Sequence, residues 1–144
     1  MDIRKAVKKD LPAINGIYNQ AVHTTTATFD TEDPVMVADL DGKIVAWASL
    51  SRFSDRKAYD ETSEISIYVG EAHRSQGIGK ELLGIILEEG KKAGLHTVIA
   101  KIVEENRISI ALHQSFGFET VGIMREVGRK FGRLLDVRIM RKIF

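Results

Sequence analysis

The sequence predicts one α/β domain built on a mixed sheet, and three observations predict it. Segments with apolar residues at every second position take turns with segments whose apolar residues recur at helical spacing. Their order along the chain is strand, helix, hairpin, strand, helix, strand, helix, strand, the pattern of helices layered on a sheet. The 144 residues, 44% hydrophobic and 28% charged, suit a single core. No repeat, low-complexity stretch or linker divides them, so residues 1–144 read as one domain.

Residues 3–7 alternate apolar and charged side chains and read as the first strand. Asp10 stands where a helix N-cap belongs, with Pro12 in the first turn, where a missing N–H costs nothing. Leu11, Ile14, Tyr18 and Val22 follow at helical spacing, and the threonine-rich residues 24–28 read as a loop. Residues 35–38 and 43–50 flank Asp41-Gly42, a strong hairpin signal. Residues 64–69 alternate again. Residues 80–92 form an amphipathic helix with Leu82, Leu83, Ile86 and Leu87 inward, stopped at Gly94. Residues 97–103 are β-branched and strand-like, residues 106–116 read as a helix ended by Gly117, and residues 134–143 read as the last strand.

Composition removes several classes of function. Twenty-one basic and 20 acidic residues leave a net charge of +1, which favours a small-molecule partner over nucleic acid or an anionic membrane. With no cysteine, disulfides, thiolate zinc sites and a cysteine nucleophile are excluded. The longest apolar run, residues 44–50, is too short to span a bilayer, and Met1-Asp2-Ile3-Arg4-Lys5 is not the start of a secretion signal. The expected compartment is the cytoplasm. His23, His73 and His96 show no ligand spacing, so no metal is expected. A Gly-x-Ser-x-Gly elbow is missing, and Glu88-Glu89 and Glu104-Glu105 read as solvated charge.

The most informative stretch is the strand Glu64-Ile65-Ser66-Ile67-Tyr68-Val69, followed by Arg74-Ser75-Gln76-Gly77-Ile78-Gly79-Lys80. A strand enters a turn with two glycines, and a helix starts on the second. Glycine lets backbone approach a ligand, and the first N–H groups of a helix are free to bind phosphate oxygens. Arg74 and Lys80 add positive charge, making a pyrophosphate cradle; a plain tight turn is the competing reading. A dinucleotide fingerprint would need glycine at Leu82, and a nucleotide P-loop would need glycine at Arg74 and Ser or Thr at Glu81.

The spacing Arg74-x-x-Gly77-x-Gly79 after a strand resembles the acetyl-CoA motif of the GNAT N-acetyltransferase superfamily. Asn106 and residues 112–118, Leu-His-Gln-Ser-Phe-Gly-Phe, resemble the helix and turn that follow there. Residues 17–22, 29–32, 62–69 and 127–136 narrow the likeness to the phosphinothricin and methionine sulfoximine acetyltransferase group. The resemblance implies a mixed, mostly antiparallel sheet flanked by helices. It also implies an enzyme that moves an acetyl group from acetyl-CoA to the primary amine of a small, amino-acid-like acceptor. Leu134 stands where the group usually has Trp, and Glu32-Asp33 runs into Pro34 where the group carries a further helix beside the acceptor.

Thioester aminolysis needs a deprotonated amine, a polarised carbonyl and a proton for the thiolate. By resemblance Glu64 is the base, and His113 serves as acid or orients the amine. The backbone of Ile67, Tyr68 and Val69 pairs with the pantetheine arm like an added strand. Arg74, Ser75, Gln76, Gly77, Ile78, Gly79 and Lys80 hold the pyrophosphate, and Asn106 and Ser115 meet the coenzyme further along. Arg56, Lys57 and Tyr59, which precede Glu64, are expected at the acceptor, with the cations toward a carboxylate or phosphinate. The likeness also implies a homodimer. Two other functions fit the same residues: acetylation of a protein or peptide amine, and a non-catalytic acetyl-CoA-binding module.

Overall fold

A computed structural model describes residues 1–22 and 35–144. The threonine-rich loop and the Glu32–Pro34 junction expected from sequence lie outside the described residues. Among the described residues ten regular elements follow one another: β1 (Asp2–Lys5), α1 (Leu11–Val22), β2 (Val35–Leu40), β3 (Lys43–Arg52), β4 (Thr62–Val69), α2 (Ile78–Lys92), β5 (Thr97–Val103), α3 (Arg107–Ser115), β6 (Glu119–Lys130) and β7 (Arg133–Ile143). Short 3-10 turns precede α1, β4 and α2. The strands form a seven-stranded sheet in the order β1-β2-β3-β4-β5-β7-β6. The β4–β5 pair is parallel, whereas β1–β2, β2–β3, β5–β7 and β6–β7 are antiparallel. This is the mixed sheet that the element order predicts.

The chain divides into two compact units. One comprises Met1–Ser51 and Ser66–Ala93, the other Arg52–Ile65 and Gly94–Phe144, so β4 contributes residues to both. In the first unit, Ile14 and Ile17 of α1 pack with Val37 and Trp47, which face each other across β2 and β3. Tyr18 and Tyr68 close around Trp47, with ring centroids 5.0 to 6.0 Å apart. The β2–β3 turn has Asp41 at φ 50° and Gly42 at φ 88°, the two left-handed residues of a type I′ hairpin. Asp10 directly precedes α1, as expected, but its buried carboxylate turns back to accept the Val7 N–H at 2.8 Å and both Arg4 Nη atoms at 2.8 and 3.0 Å. Arg4 also reaches Asp39, tying β1 to β2. The Arg4 hydrogen bond is the main reason that the Asp10 carboxyl lies below its ordinary range, against the opposing effect of burial.

The second unit has its core on Val98, Ala100, Ile102, Ile110, His113, Phe118 and Met140. Asn106 caps α3 by accepting the Ser109 N–H, and Gly117 at φ 89° ends the segment as expected. Glu104 binds Arg138 through two hydrogen bonds of 2.8 and 2.6 Å and takes a third from Arg107. The strand β6 is an addition to the sequence-based order. It has no regular alternation of buried and exposed residues, and its register with β7 shifts twice. At the second shift Glu126 takes φ 54°; its N–H and Arg125 both donate to Asp136.

Candidate active site

The helix α2 begins at Ile78, two residues before the start expected from sequence, with Gly77 as its N-cap at φ 81°. A Cβ at position 77 would meet open space, so the left-handed backbone, not crowding, is what calls for glycine there. Ser75 is also left-handed, at φ 63°. Alternating conformations of this kind aim successive N–H groups into one concavity, a nest for an anion. The first intrahelical bond runs from the Glu81 N–H to the Gly77 carbonyl at 3.1 Å, so the N–H groups of Ile78, Gly79 and Lys80 are the orphan donors of the first turn. Residues 74–77 and Lys80 are exposed, and Arg74 Nε is anchored on the Val69 carbonyl at 3.2 Å. Free donors, the positive end of a helix dipole and two cations suit a pyrophosphate.

The strand that enters this turn also carries Glu64. Its carboxylate is 2.9 Å from Lys101 Nζ of β5, with the two side chains 32% and 46% exposed. Glu64 lies opposite Ile99 in the parallel register, and Lys101 is two residues further on the same face. The β4–β5 ladder covers Thr62–Glu64 against Thr97–Ile99, and β4 continues to Val69 beyond it. Ile67, Tyr68 and Val69 therefore belong to the part of β4 that lies beyond its parallel ladder with β5.

Arg56, Lys57 and Tyr59 are exposed and share one 3-10 turn, where Tyr59 meets Phe53 edge to face at 5.6 Å. Phe53 closes this loop through its N–H to the Thr62 carbonyl at 3.4 Å. Asn106 and Ser115 stand at the two ends of α3, one capping it and the other donating its hydroxyl to Leu112 O at 2.6 Å.

His113 is a core residue, 2% exposed, with its ring edge-on to Phe118 at 5.0 Å. Its Nδ1 is 2.8 Å from Ser109 O. A carbonyl only accepts, so Nδ1 carries the hydrogen and neutral imidazole leaves Nε2 as an acceptor. Burial pushes the imidazolium below its ordinary range, and the Ser109 hydrogen bond only partly opposes that. The motif likeness that marked this residue in sequence could not show its burial.

Sequence reasoning passed over Lys101 and Phe53. Each becomes notable only through a partner, and Lys101 meets Glu64 from a strand 37 residues further along the chain. Among the described residues no group of three or more His, Cys, Asp or Glu side chains could hold a metal ion. None of the described helices is long and apolar enough to cross a membrane.

Fold and turn together define a class: α/β proteins in which a strand of a mixed sheet leads to a glycine-containing turn at a helix N-terminus, chemistry that suits an anion. Within it, the chain belongs to the acetyltransferase (GNAT) family, whose model matches residues 2–118. It is 36% identical to an L-methionine sulfoximine/L-methionine sulfone acetyltransferase of Salmonella typhimurium, over 98% of this chain and 93% of the relative. That alignment spans 159 positions against 144 residues here, so the relative carries at least 15 residues without a counterpart in this chain. A ribosomal-protein-alanine N-acetyltransferase from Brucella melitensis has a structure that superposes with a TM-score of 0.90, at 40% identity and 100% of both chains. A phosphinothricin acetyltransferase from Sinorhizobium meliloti in complex with acetyl-CoA superposes with a TM-score of 0.89, at 33% identity over 99% of this chain and 88% of that one.

Proposed function

We propose that the protein transfers the acetyl group of acetyl-CoA to the primary amine of a small, amino-acid-like acceptor, of the methionine sulfone or phosphinothricin type. The observation that carries this reading is that one strand, β4, bears the carboxylate of Glu64 and leads directly into the anion-binding turn.

On this reading residues 74–80 hold the pyrophosphate through backbone N–H groups and the Arg74 and Lys80 cations. Ile67 to Val69 offer backbone groups to the pantetheine arm, which the end of the β4–β5 ladder before Ile65 favours. Asn106 and Ser115 meet the coenzyme beyond it. Glu64 removes a proton from the acceptor ammonium, and the freed amine attacks the thioester carbonyl; the C–N bond forms, the C–S bond breaks, and the second proton lost by the nitrogen passes through solvent to the leaving thiolate to give the thiol. His113, buried at the end of α3, keeps the two parts expected of it, acid or orientation of the amine, and its burial favours orientation at neutral pH. Arg56, Lys57 and Tyr59 contact the far end of the acceptor, with Phe53 behind Tyr59.

A homodimer fits the exposed apolar residues Val121, Val127, Phe131 and Leu134 on the β6–β7 hairpin. A cysteine-free chain agrees with the reducing cytoplasm. A second reading, acetylation of a peptide N-terminus, draws on the Brucella likeness and on the shorter chain.

The test is release of coenzyme A thiol from acetyl-CoA with a panel of amines: methionine sulfone, phosphinothricin, glutamate and a short alanine-ended peptide. Turnover on the amino acids and none on the peptide is expected. A preference for the peptide would establish the second reading. Coenzyme binding without thiol release from any amine would mark a non-catalytic module.

A further inference from the structure

The Glu64–Lys101 pair has a property that a lone base does not. Its carboxylate oxygen and ammonium nitrogen are 2.9 Å apart, and both side chains remain partly open to solvent. The charges of an α-amino acid, ammonium and carboxylate on one carbon, have nearly the same separation in the opposite order. Laid alongside, the zwitterion and the pair form a square of alternating charge without breaking the pair itself. Across β5, β7 and β6 the same face also carries Arg141, opposite Ile99, and Glu119, opposite Arg141. Arg141 lies a full strand away from Glu64, whereas Lys101 touches that carboxylate directly.

We infer that Lys101 is a specificity residue that binds the α-carboxylate of the acceptor while Glu64 engages its amine, so the enzyme selects α-amino acids over simple amines. This deepens the proposed function and rests on it. Arg56 and Lys57 are then left for the distal sulfone or phosphinate.

The experiment measures binding apart from turnover. Calorimetry in the presence of coenzyme A gives the Kd of methionine sulfone and of its decarboxylated amine counterpart, for the wild type and for Lys101→Met, Lys101→Arg and Arg141→Met. Loss of one charge-assisted contact should weaken methionine sulfone about 10- to 100-fold in Lys101→Met and leave the decarboxylated amine unchanged. Lys101→Arg should restore most of the affinity, and Arg141→Met should match the wild type. An equal loss for both ligands, no loss for either, or a wild type that binds both alike would overturn the assignment. Thiol release by the wild type is measured separately: discrimination in binding with no turnover would refute the proposed reaction while leaving the carboxylate site standing. The acetyl-CoA thermal shift of Lys101→Met reports that the variant is folded.

Discussion

Glu64 and His113 were marked by the same likeness, and their surroundings differ. Glu64 is partly open, with a cation beside it, where a reacting ammonium can reach it. His113 is enclosed and neutral. Glu64→Gln should keep the shape and the coenzyme affinity and slow acetyl transfer by about two to four orders of magnitude. Much of that loss should return in alkaline buffer, where the free amine fraction grows; near-normal turnover of the variant at neutral pH would remove Glu64 as the base. For His113 the prediction concerns stability. The folded chain resists protonating this ring, whereas the unfolded chain protonates it near the ordinary value of 6.5. Its contribution is therefore complete above that pH and is lost as pH falls through and below it. Denaturant unfolding of the wild type should weaken between pH 7 and 5, and His113→Gln should show a shallower slope. Parallel slopes would mean that the ring is not held neutral.

At the level of elements, legibility followed local chemistry. Asp41-Gly42 announced its hairpin because both residues tolerate positive φ. The β6–β7 hairpin turns in the same way at Phe131-Gly132, with φ 51° and 72°, but a phenylalanine seldom takes that conformation and gives no such signal. The strand before it was equally hidden, because the bulge at Glu126 breaks any period-two pattern. The turn proposed to hold the pyrophosphate was legible in its glycines, while the start of α2 moved to Ile78 because Gly77 is the cap. Gly77→Val should strain the left-handed backbone by about 1–2 kcal/mol. It should also close the nest, so acetyl-CoA would no longer raise the melting temperature although the variant remains folded. An unchanged coenzyme shift in Gly77→Val would show that this turn does not hold the pyrophosphate.

For the whole molecule, the family and the order of strands and helices apart from β6 could be read from the chain because period and motif spacing are local. The Glu64–Lys101 and Arg4–Asp39 contacts could not, because they join residues brought together by the sheet. Assembly belongs to this scale as well. If two copies meet through the β6–β7 hairpin, Phe131, which is 77% exposed, should be buried between them. Light scattering at micromolar concentration should then give a dimer for the wild type and a monomer for Phe131→Glu; a monomeric wild type would contradict that assembly. The central claim, acetyl transfer to an amino-acid amine, is met most directly by following both products of one reaction. The chain is incubated with acetyl-CoA and L-methionine sulfone, and mass spectrometry counts N-acetylated amino acid against released coenzyme A thiol. The account predicts one acetylated amine for each thiol, whereas thiol released without acetylated amine, or no release at all, would contradict it.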